Sequence, residues 1–428
     1  MASSPFIITE HTVDCQHIRE YPHATRHGDD ALQLAVKQYI PKSNPNPQPG
    51  DVTIIGAHSS GVPKELYEPI WEELLAKLEH QGVRIRSIWI ADTASQGASG
   101  LLNKQYLGND PSWFDHSRDL LHLVNTFKAE MPRPIVGIGH SLGAGQLALL
   151  SLMHSRLFTS LVLIESVFGR DILSGKGLAF AQGSLAAPDN WASRASAAAY
   201  FQKRHRSWDP RVLDRFLKYG LRDVERESSS DKAQREVTLT TTQHQDVMQY
   251  LRANFSHRKP LRPDTETDTP EDTHDPLFHP DVIGPAHAIA PFYRCEPLLA
   301  YKLLKHVRPS VLYIFGEKSP ISTPKPRAEK VERTGRGFGG SGGYRHGRVR
   351  EVTLPAAGHQ VPFEDIAGVS SATAEWVKEE MLRWKRDEER ITHGWVNRSV
   401  EDRLSLSEEW QARLKESLGK YKLARSKL

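Results

Sequence analysis

One serine stands where a buried strand gives way to a helix. Gly139-His140-Ser141-Leu142-Gly143 follows the apolar run PIVGIG at 134–139 and precedes the helical stripe GAGQLALLSLMHSR at 143–156. A G-x-S-x-G run in that setting demands a sharp strand-to-helix turn, in which the serine backbone is strained and its neighbours must be small. The turn lifts the serine hydroxyl above the strand end, at the positive end of a helix. Such a turn belongs to a parallel sheet, whose strands are joined by helical crossovers.

The periodicity on either side supplies that sheet. Residues 52–57 (VTIIGA), 85–91 (IRSIWIA) and 160–165 (SLVLIE) are short apolar runs, as expected of buried parallel strands. Residues 31–42 alternate apolar and polar, the pattern of a half-buried strand. Helical stripes lie between them, with Leu66, Ile70, Leu74, Leu75 and Leu78 on one face and Phe114, Leu120, Leu121, Val124 and Phe127 on another. The alternation predicts an α/β fold with a mostly parallel sheet. It stops at 168–300, a segment rich in Ser, Arg, His and Asp, and resumes at 310–316 (SVLYIFG) and 348–354 (RVREVTL). The expected organisation is a core in two parts, 1–167 and 301–395, with a large inserted cap at 168–300 and a helical tail at 396–428. Within the cap, residues 264–281 carry seven acidic residues and no Lys or Arg, which predicts a flexible acidic loop. In the tail, Ser405 and Glu408 fit a capping box ahead of a stripe formed by Trp410, Leu414, Leu418 and Tyr421. That helix is a candidate surface for homodimer formation.

Several classes fall away on composition. No apolar run reaches the roughly 18 residues of a membrane-spanning helix. Two cysteines, Cys15 and Cys295, make neither a disulfide framework nor a cysteine-based metal site. A net charge of +4 is too small to imply a nucleic-acid partner. The first residues, MASSPFIITEHTVD, lack the basic start and apolar stretch of a secretory signal. The last three, Ser426-Lys427-Leu428, match the address read by the peroxisomal import receptor, so the matrix of the peroxisome is the expected location.

Ser141 is the candidate nucleophile. A second match to the same pattern, Gly339-Gly340-Ser341-Gly342-Gly343, has neither a strand before it nor a helix after it, so Ser341 is not expected to act. A serine hydroxyl needs a base within hydrogen-bond reach. Gly358-His359 follows directly on the strand at 348–354 and precedes a helical segment, which makes His359 the candidate base.

These residues carry a resemblance. GAHSSG at 56–61, GHSLG at 139–143 and AGHQVPFED at 357–365 resemble the α/β-hydrolase fold over roughly residues 30–167 and 308–385. More narrowly, VPKELYEP, NDPSWFDHSRDLL, GHSLGAGQ, GFGGSGG and the terminal S-K-L look like fungal peroxisomal hydrolases of secondary metabolism, a group of acyl-CoA hydrolases and esterase-like enzymes.

The family's usual acid follows the seventh strand, in a G-x-x-D-P setting. Here that segment reads Gly316-Glu317-Lys318-Ser319-Pro320, with a serine where the aspartate belongs. Glu165, ending the strand after the nucleophile helix, is the candidate acid, and the narrower resemblance implies an acid at that strand. Glu317 is the alternative. The acid would fix the histidine tautomer and stabilise the imidazolium. An oxyanion hole needs two backbone N–H groups. Leu142 supplies one candidate, and the loop after the third strand supplies the other, Ser60 ahead of Ser59. Asp92 reads as a turn residue.

Two weaker patterns remain. His274, Asp275, His279 and Asp281 can be drawn as a metal site, but their proline-broken segment reads as solvated, and no metal or other cofactor is expected. The basic stretch 326–350 reads either as a cradle for coenzyme A phosphates, using arginines and free glycine amides, or as a solvated insertion. The functional expectation is a serine hydrolase releasing a free acid from a metabolite or fatty acyl-CoA. The alternatives are a carboxylesterase or lipase with the same triad, and a catalytically silent binding protein.

Overall fold

The computed structural model describes residues 4–171, 175–224, 235–254, 277–281 and 291–425. The apolar runs fold into one eight-stranded sheet. Its first six strands are β1 (Phe6–Asp14), β2 (Gln33–Pro41), β3 (Val52–Ala57), β4 (Ile85–Ala91), β5 (Ile135–His140) and β6 (Ser160–Ile164). Among these strands run α1 (Glu68–His80), α2 (Gly97–Leu102), α3 (Trp113–Thr126) and α4 (Leu142–Met153). Ser112 caps α3 and Asp115 completes the box.

The chain then leaves the sheet. It forms α5 (Gly175–Leu185), β7 (Asn190–Trp191), α6 (Arg194–Arg204), α7 (Pro210–Tyr219), β8 (Leu221–Asp223), β9 (Val237–Leu239), α8 (Gln243–Tyr250), β10 (Arg252–Ala253), β11 (Phe292–Tyr293) and α9 (Glu296–Leu303). It returns as β12 (Ser310–Gly316), α10 (Pro324–Arg333), β13 (Val349–Leu354), α11 (Val361–Glu364) and α12 (Ile366–Thr392). Across the sheet the order is β1-β2-β4-β3-β5-β6-β12-β13. The pairs β1–β2 and β2–β4 are antiparallel and every other pair is parallel. β6 and β12 are hydrogen-bonded neighbours, so everything between them is an excursion from one sheet.

The central strands β3, β5, β6 and β12 are buried at every position. Both of their faces are covered, which is why they read as continuous apolar runs. The edge strand β13 keeps exposed residues. The N-terminal segment, read above only for targeting, forms the opposite edge strand β1, whose Ile7 and Ile8 are exposed and break any alternating pattern.

Two expectations need correction. The basic stretch 326–350 is not a loop throughout, because its first residues belong to α10. Of the acidic segment, residues 264–276 lie outside the described residues, and Asp281 is not a solvated charge. Its carboxylate accepts from Arg252 at 2.7 Å and from the Tyr21 hydroxyl at 2.8 Å. Arg252 also grips Asp110 with two hydrogen bonds and lies over the Tyr21 ring, which ties the excursion to the core.

The chain divides into two compact units, Met1–Glu380 and Met381–Leu428. The second comprises the end of α12, α13 (Val400–Leu404) and α14 (Glu408–Arg425). The cap of α14 is Ser407, whose Oγ accepts from the Trp410 amide, and not Ser405. Trp410, Leu414, Leu418 and Tyr421 are exposed. The terminal Ser426-Lys427-Leu428 lies outside the described residues. Among the described residues no helix is long and apolar enough to cross a membrane.

Candidate functional site

The carboxyl ends of five adjacent strands, β3, β5, β6, β12 and β13, hold the candidate residues. Ser141 joins β5 to α4 with φ 53° and ψ −111°, a left-handed backbone that a serine adopts only under constraint. Space for the turn comes from its neighbours. A Cβ on Gly139 would lie 2.7 Å from the Ala144 nitrogen, and one on Gly143 would run into the Ala57 carbonyl.

His359, in the turn between β13 and α11, faces Ser141, with Nε2 2.9 Å from the Ser141 Oγ. Its Nδ1 lies 3.1 Å from Oε2 of Glu165. With Nδ1–H donating to the carboxylate, Nε2 is left to accept the serine proton. Glu165 directly follows β6, is fully buried, and also has positive φ, at 48°. Burial pushes its pKa upward, but the hydrogen bonds from His359, Ser319 and the Gly316 amide outweigh it and hold the carboxyl below its ordinary 4.5. The Gly316 amide donates to Oε1 at 2.8 Å, and the Ser319 and Ser322 hydroxyls donate to Oε2 at 2.6 and 3.1 Å. The serine standing where the family's aspartate belongs therefore serves the other acid. Glu317 is exposed and takes a hydrogen bond from the Ala356 amide at 3.4 Å, not from His359.

The loop after β3 separates the two oxyanion candidates. The Ser59 amide donates to the Tyr67 hydroxyl at 2.9 Å, and the Gly61 amide donates to the Gln96 side chain at 3.1 Å. Among the described residues the Ser60 amide makes no hydrogen bond, and Ser60 lines the same pocket as Leu142 and Ser141. The Leu142 amide opens α4, where the first N–H groups have no helical partner.

Residues with no motif of their own frame these groups. Tyr67, within VPKELYEP, takes the Ser59 amide proton and bonds Nδ1 of His140 at 2.8 Å. His140 Nε2 then donates to the His359 carbonyl at 2.9 Å. Burial pushes the His140 pKa down to about 3, so this ring stays neutral. His58 pins the loop from its other side, donating to the Ser59 carbonyl and accepting from the Thr93 amide. Asp92 is buried and holds the Lys64 ammonium at 2.7 Å, which is more than a turn role but does not reach the serine. The excursion contributes Phe180, 5.7 Å from the His359 ring, and Asp246, which accepts from the Ser60 hydroxyl at 2.6 Å.

Together these groups line a pocket of about 340 Å3. Its lining mixes apolar side chains, among them Phe168, Val167 and Leu251, with the cations Arg170, Lys176 and Lys330. Lys330 is fully buried, donates to the Ser166 carbonyl at 2.5 Å, and is pushed by burial down to about 8.

The remaining patterns resolve differently. Ser341 Oγ accepts from the Gly343 amide. The glycine stretch around it is a folded turn and not a solvated insertion. Nor are its amides free, since those of Gly335, Gly337 and Ser341 donate to the carbonyls of Leu304, Lys305 and Val307. His274 and Asp275 lie outside the described residues, and among the described residues no three His, Cys, Asp or Glu side chains gather as a metal site. Cys15 and Cys295 are buried and unpaired.

Comparison with known proteins places this geometry. Residues 54–372 match the alpha/beta hydrolase family. A type I acyl-CoA thioesterase of Penicillium brevicompactum is 38% identical over 97% of this chain and 96% of its own. An abhydrolase domain-containing protein of Alternaria alternata is 25% identical over 65% of this chain and 97% of its own. Among solved structures, the peroxisomal alpha-beta-hydrolase Lpx1 of Saccharomyces cerevisiae matches with a TM-score of 0.65 at 16% identity, covering 99% of both chains. The sheet order, the strained serine after β5 and the full-length match to a named hydrolase agree: the chain belongs to the alpha/beta hydrolase family.

Proposed function

We propose that this chain is a serine hydrolase that releases a free acid from acyl-CoA thioesters. One observation carries the mechanism: a continuous hydrogen-bonded line runs from Ser141 Oγ through His359 to Glu165, and Ser141 and His359 line a pocket. Ser141 attacks the acyl carbonyl while His359 takes its proton. Glu165 holds the tautomer and stabilises the imidazolium. The Leu142 and Ser60 amides hold the oxyanion, each contributing about 3 kcal/mol to lowering the barrier. His359 returns the proton to the leaving thiol, and water then attacks the acyl-serine by the same route in reverse.

The thioester class rests on the full-length relative that bears the name acyl-CoA thioesterase. The Ser426-Lys427-Leu428 run supports peroxisomal import where it stands as a free terminus. The test is thiol release from a panel of acyl-CoAs beside aryl esters, with wild type and Ser141→Ala. Release that disappears in the variant supports the reading. Ester cleavage without coenzyme A turnover favours a carboxylesterase, and activity that survives in Ser141→Ala overturns the mechanism. The serine at 319, in place of the family's aspartate, does not argue for a silent binding protein, because it donates to Glu165.

A further inference from the structure

A second concavity adjoins the pocket. It holds about 460 Å3 and lies between the end of α9, the outer face of α10 and the first residues of the glycine turn. It shares Arg170, Tyr301 and Glu329 with the pocket, so the two form one path leading outward from Ser141. The groove collects four cations, Arg170, Lys305, Arg333 and Arg336, against two carboxylates, Glu329 and Glu332. The carboxylates hold only Arg170 and Arg336, at 2.6 and 2.8 Å. Arg333 spends its hydrogen bonds on the neutral carbonyls of Tyr301 and Lys302, and Lys305 makes no ion pair among the described residues. Two positive charges are therefore uncompensated. The bonded glycine amides act as scaffold: Gly337 N–H on the Lys305 carbonyl fixes the turn against α9, which presents Arg336 beside Lys305.

Resting on the thioesterase reading, we propose that this groove binds the adenosine 3′,5′-bisphosphate end of coenzyme A, with its phosphates on Lys305, Arg333, Arg336 and Arg170. The acyl group then lies at Ser141, and the pantetheine arm runs over the residues that the two concavities share, Arg170, Tyr301 and Glu329. A substrate with a neutral leaving alcohol has no use for four cations at the mouth. Polyphosphate binding by arginine and lysine is charge-assisted and sensitive to salt.

The experiment titrates adenosine 3′,5′-bisphosphate into the full chain by calorimetry. It compares wild type, the double variant Lys305→Glu/Arg336→Glu, and Lys104→Glu/Lys128→Glu, at two exposed lysines outside the groove, as a control of equal net charge. Lys305 and Arg336 are exposed side chains, so the fold tolerates both changes. The expected result is binding by wild type and control that weakens with salt, and at least about tenfold weaker binding by the double variant, as removal of two charge-assisted contacts predicts. In parallel, the kcat/KM ratio of an acyl-CoA to the matching acyl-N-acetylcysteamine falls at least about tenfold in the double variant. Absence of nucleotide binding by wild type, or equal binding by the double variant, overturns the proposal. Failure of the thioesterase reading looks different: nucleotide binding lost in the double variant, yet no thiol released from any acyl-CoA by wild type. That outcome keeps the groove and sinks the reaction.

Discussion

Gly139–Gly143 and Gly339–Gly343 space the same glycines around a serine, and they fold in opposite ways. In the first, the positive φ falls on the serine itself, at 53°, between a buried strand and a buried helix. In the second it falls on Gly339, Gly342 and Gly343, which adopt it without steric cost. The first serine donates outward to a histidine 218 residues away; the second accepts from an amide two residues away. The glycine spacing thus announces a tight turn and nothing more. Strain at Ser141 persists only because the surroundings over-determine it, and those surroundings come from the rest of the chain.

Removing the two hydroxyls makes the contrast largest. Ser141→Ala is expected to lower kcat by about 10^4-fold or more. Ser341→Ala is expected to leave kcat within about twofold of wild type, since its hydroxyl only closes a local turn. A fluorophosphonate probe located by peptide mass should label Ser141 alone; label on Ser341 would erase the distinction.

Glu165→Gln comes next, at about 10^2 to 10^4-fold in kcat, because an amide cannot stabilise the imidazolium. It also carries a pH signature. The native carboxyl sits below its ordinary 4.5, so on acidification the unfolded chain takes up the proton first. Stability from Glu165 is thus complete above about pH 4.5 and is lost as the pH falls through the lower native value. Denaturation midpoints from pH 6 to 3 should fall less steeply in Glu165→Gln than in wild type. Parallel slopes would show that the carboxylate is not held as described.

The glycines themselves give a smaller contrast. Gly143→Ala drives a Cβ into the backbone carbonyl of Ala57, which cannot swing aside as a flexible side chain can, and is expected to cost about 3 kcal/mol with loss of activity. Gly339→Ala meets only the far end of Arg308 at 3.8 Å, so its cost is the left-handed φ alone, about 1 kcal/mol. Thermal unfolding separates the two, and equal costs would mean that the elbow relaxes as freely as the loop.

Much of this architecture is legible in the sequence because burial on both faces leaves a plain trace. β3, β5, β6 and β12 are apolar at nearly every position, and Ser141 and Glu165 directly follow β5 and β6, while His359 follows the edge strand β13. The short pieces of the excursion are harder, because they bury one residue here and two there and show no period. Asp246 and Phe180 reach the site from it with no motif to mark them. α10 was hidden for another reason: a charged surface helix next to a glycine run has the composition of a loop. Ser319 reads as a missing aspartate, since one strand's chemistry shows nothing of what the neighbouring strand presents to it.

Tyr67 tests whether the elbow's frame does more than hold the fold. Its hydroxyl takes the Ser59 amide proton and donates to His140, whose other nitrogen holds the His359 carbonyl. One phenol therefore spaces the loop of Ser59 and Ser60 from the turn that carries His359. Among the described residues the turn at 339–343 has no such brace; its bonds reach its own segment, 335–348, and the neighbouring 304–308. Tyr67→Phe keeps the ring against Trp71 and Phe363 but leaves a buried amide and a buried imidazole nitrogen unpaired, at about 1–3 kcal/mol. If the phenol is a positioning residue, the loss appears in kcat, about tenfold, with KM nearly unchanged, because the Ser60 amide meets charge only in the transition state. A variant that unfolds more readily but keeps its kcat would reduce Tyr67 to packing. The constraint on Ser60 would then have to come from His58, Gln96 and Asp246.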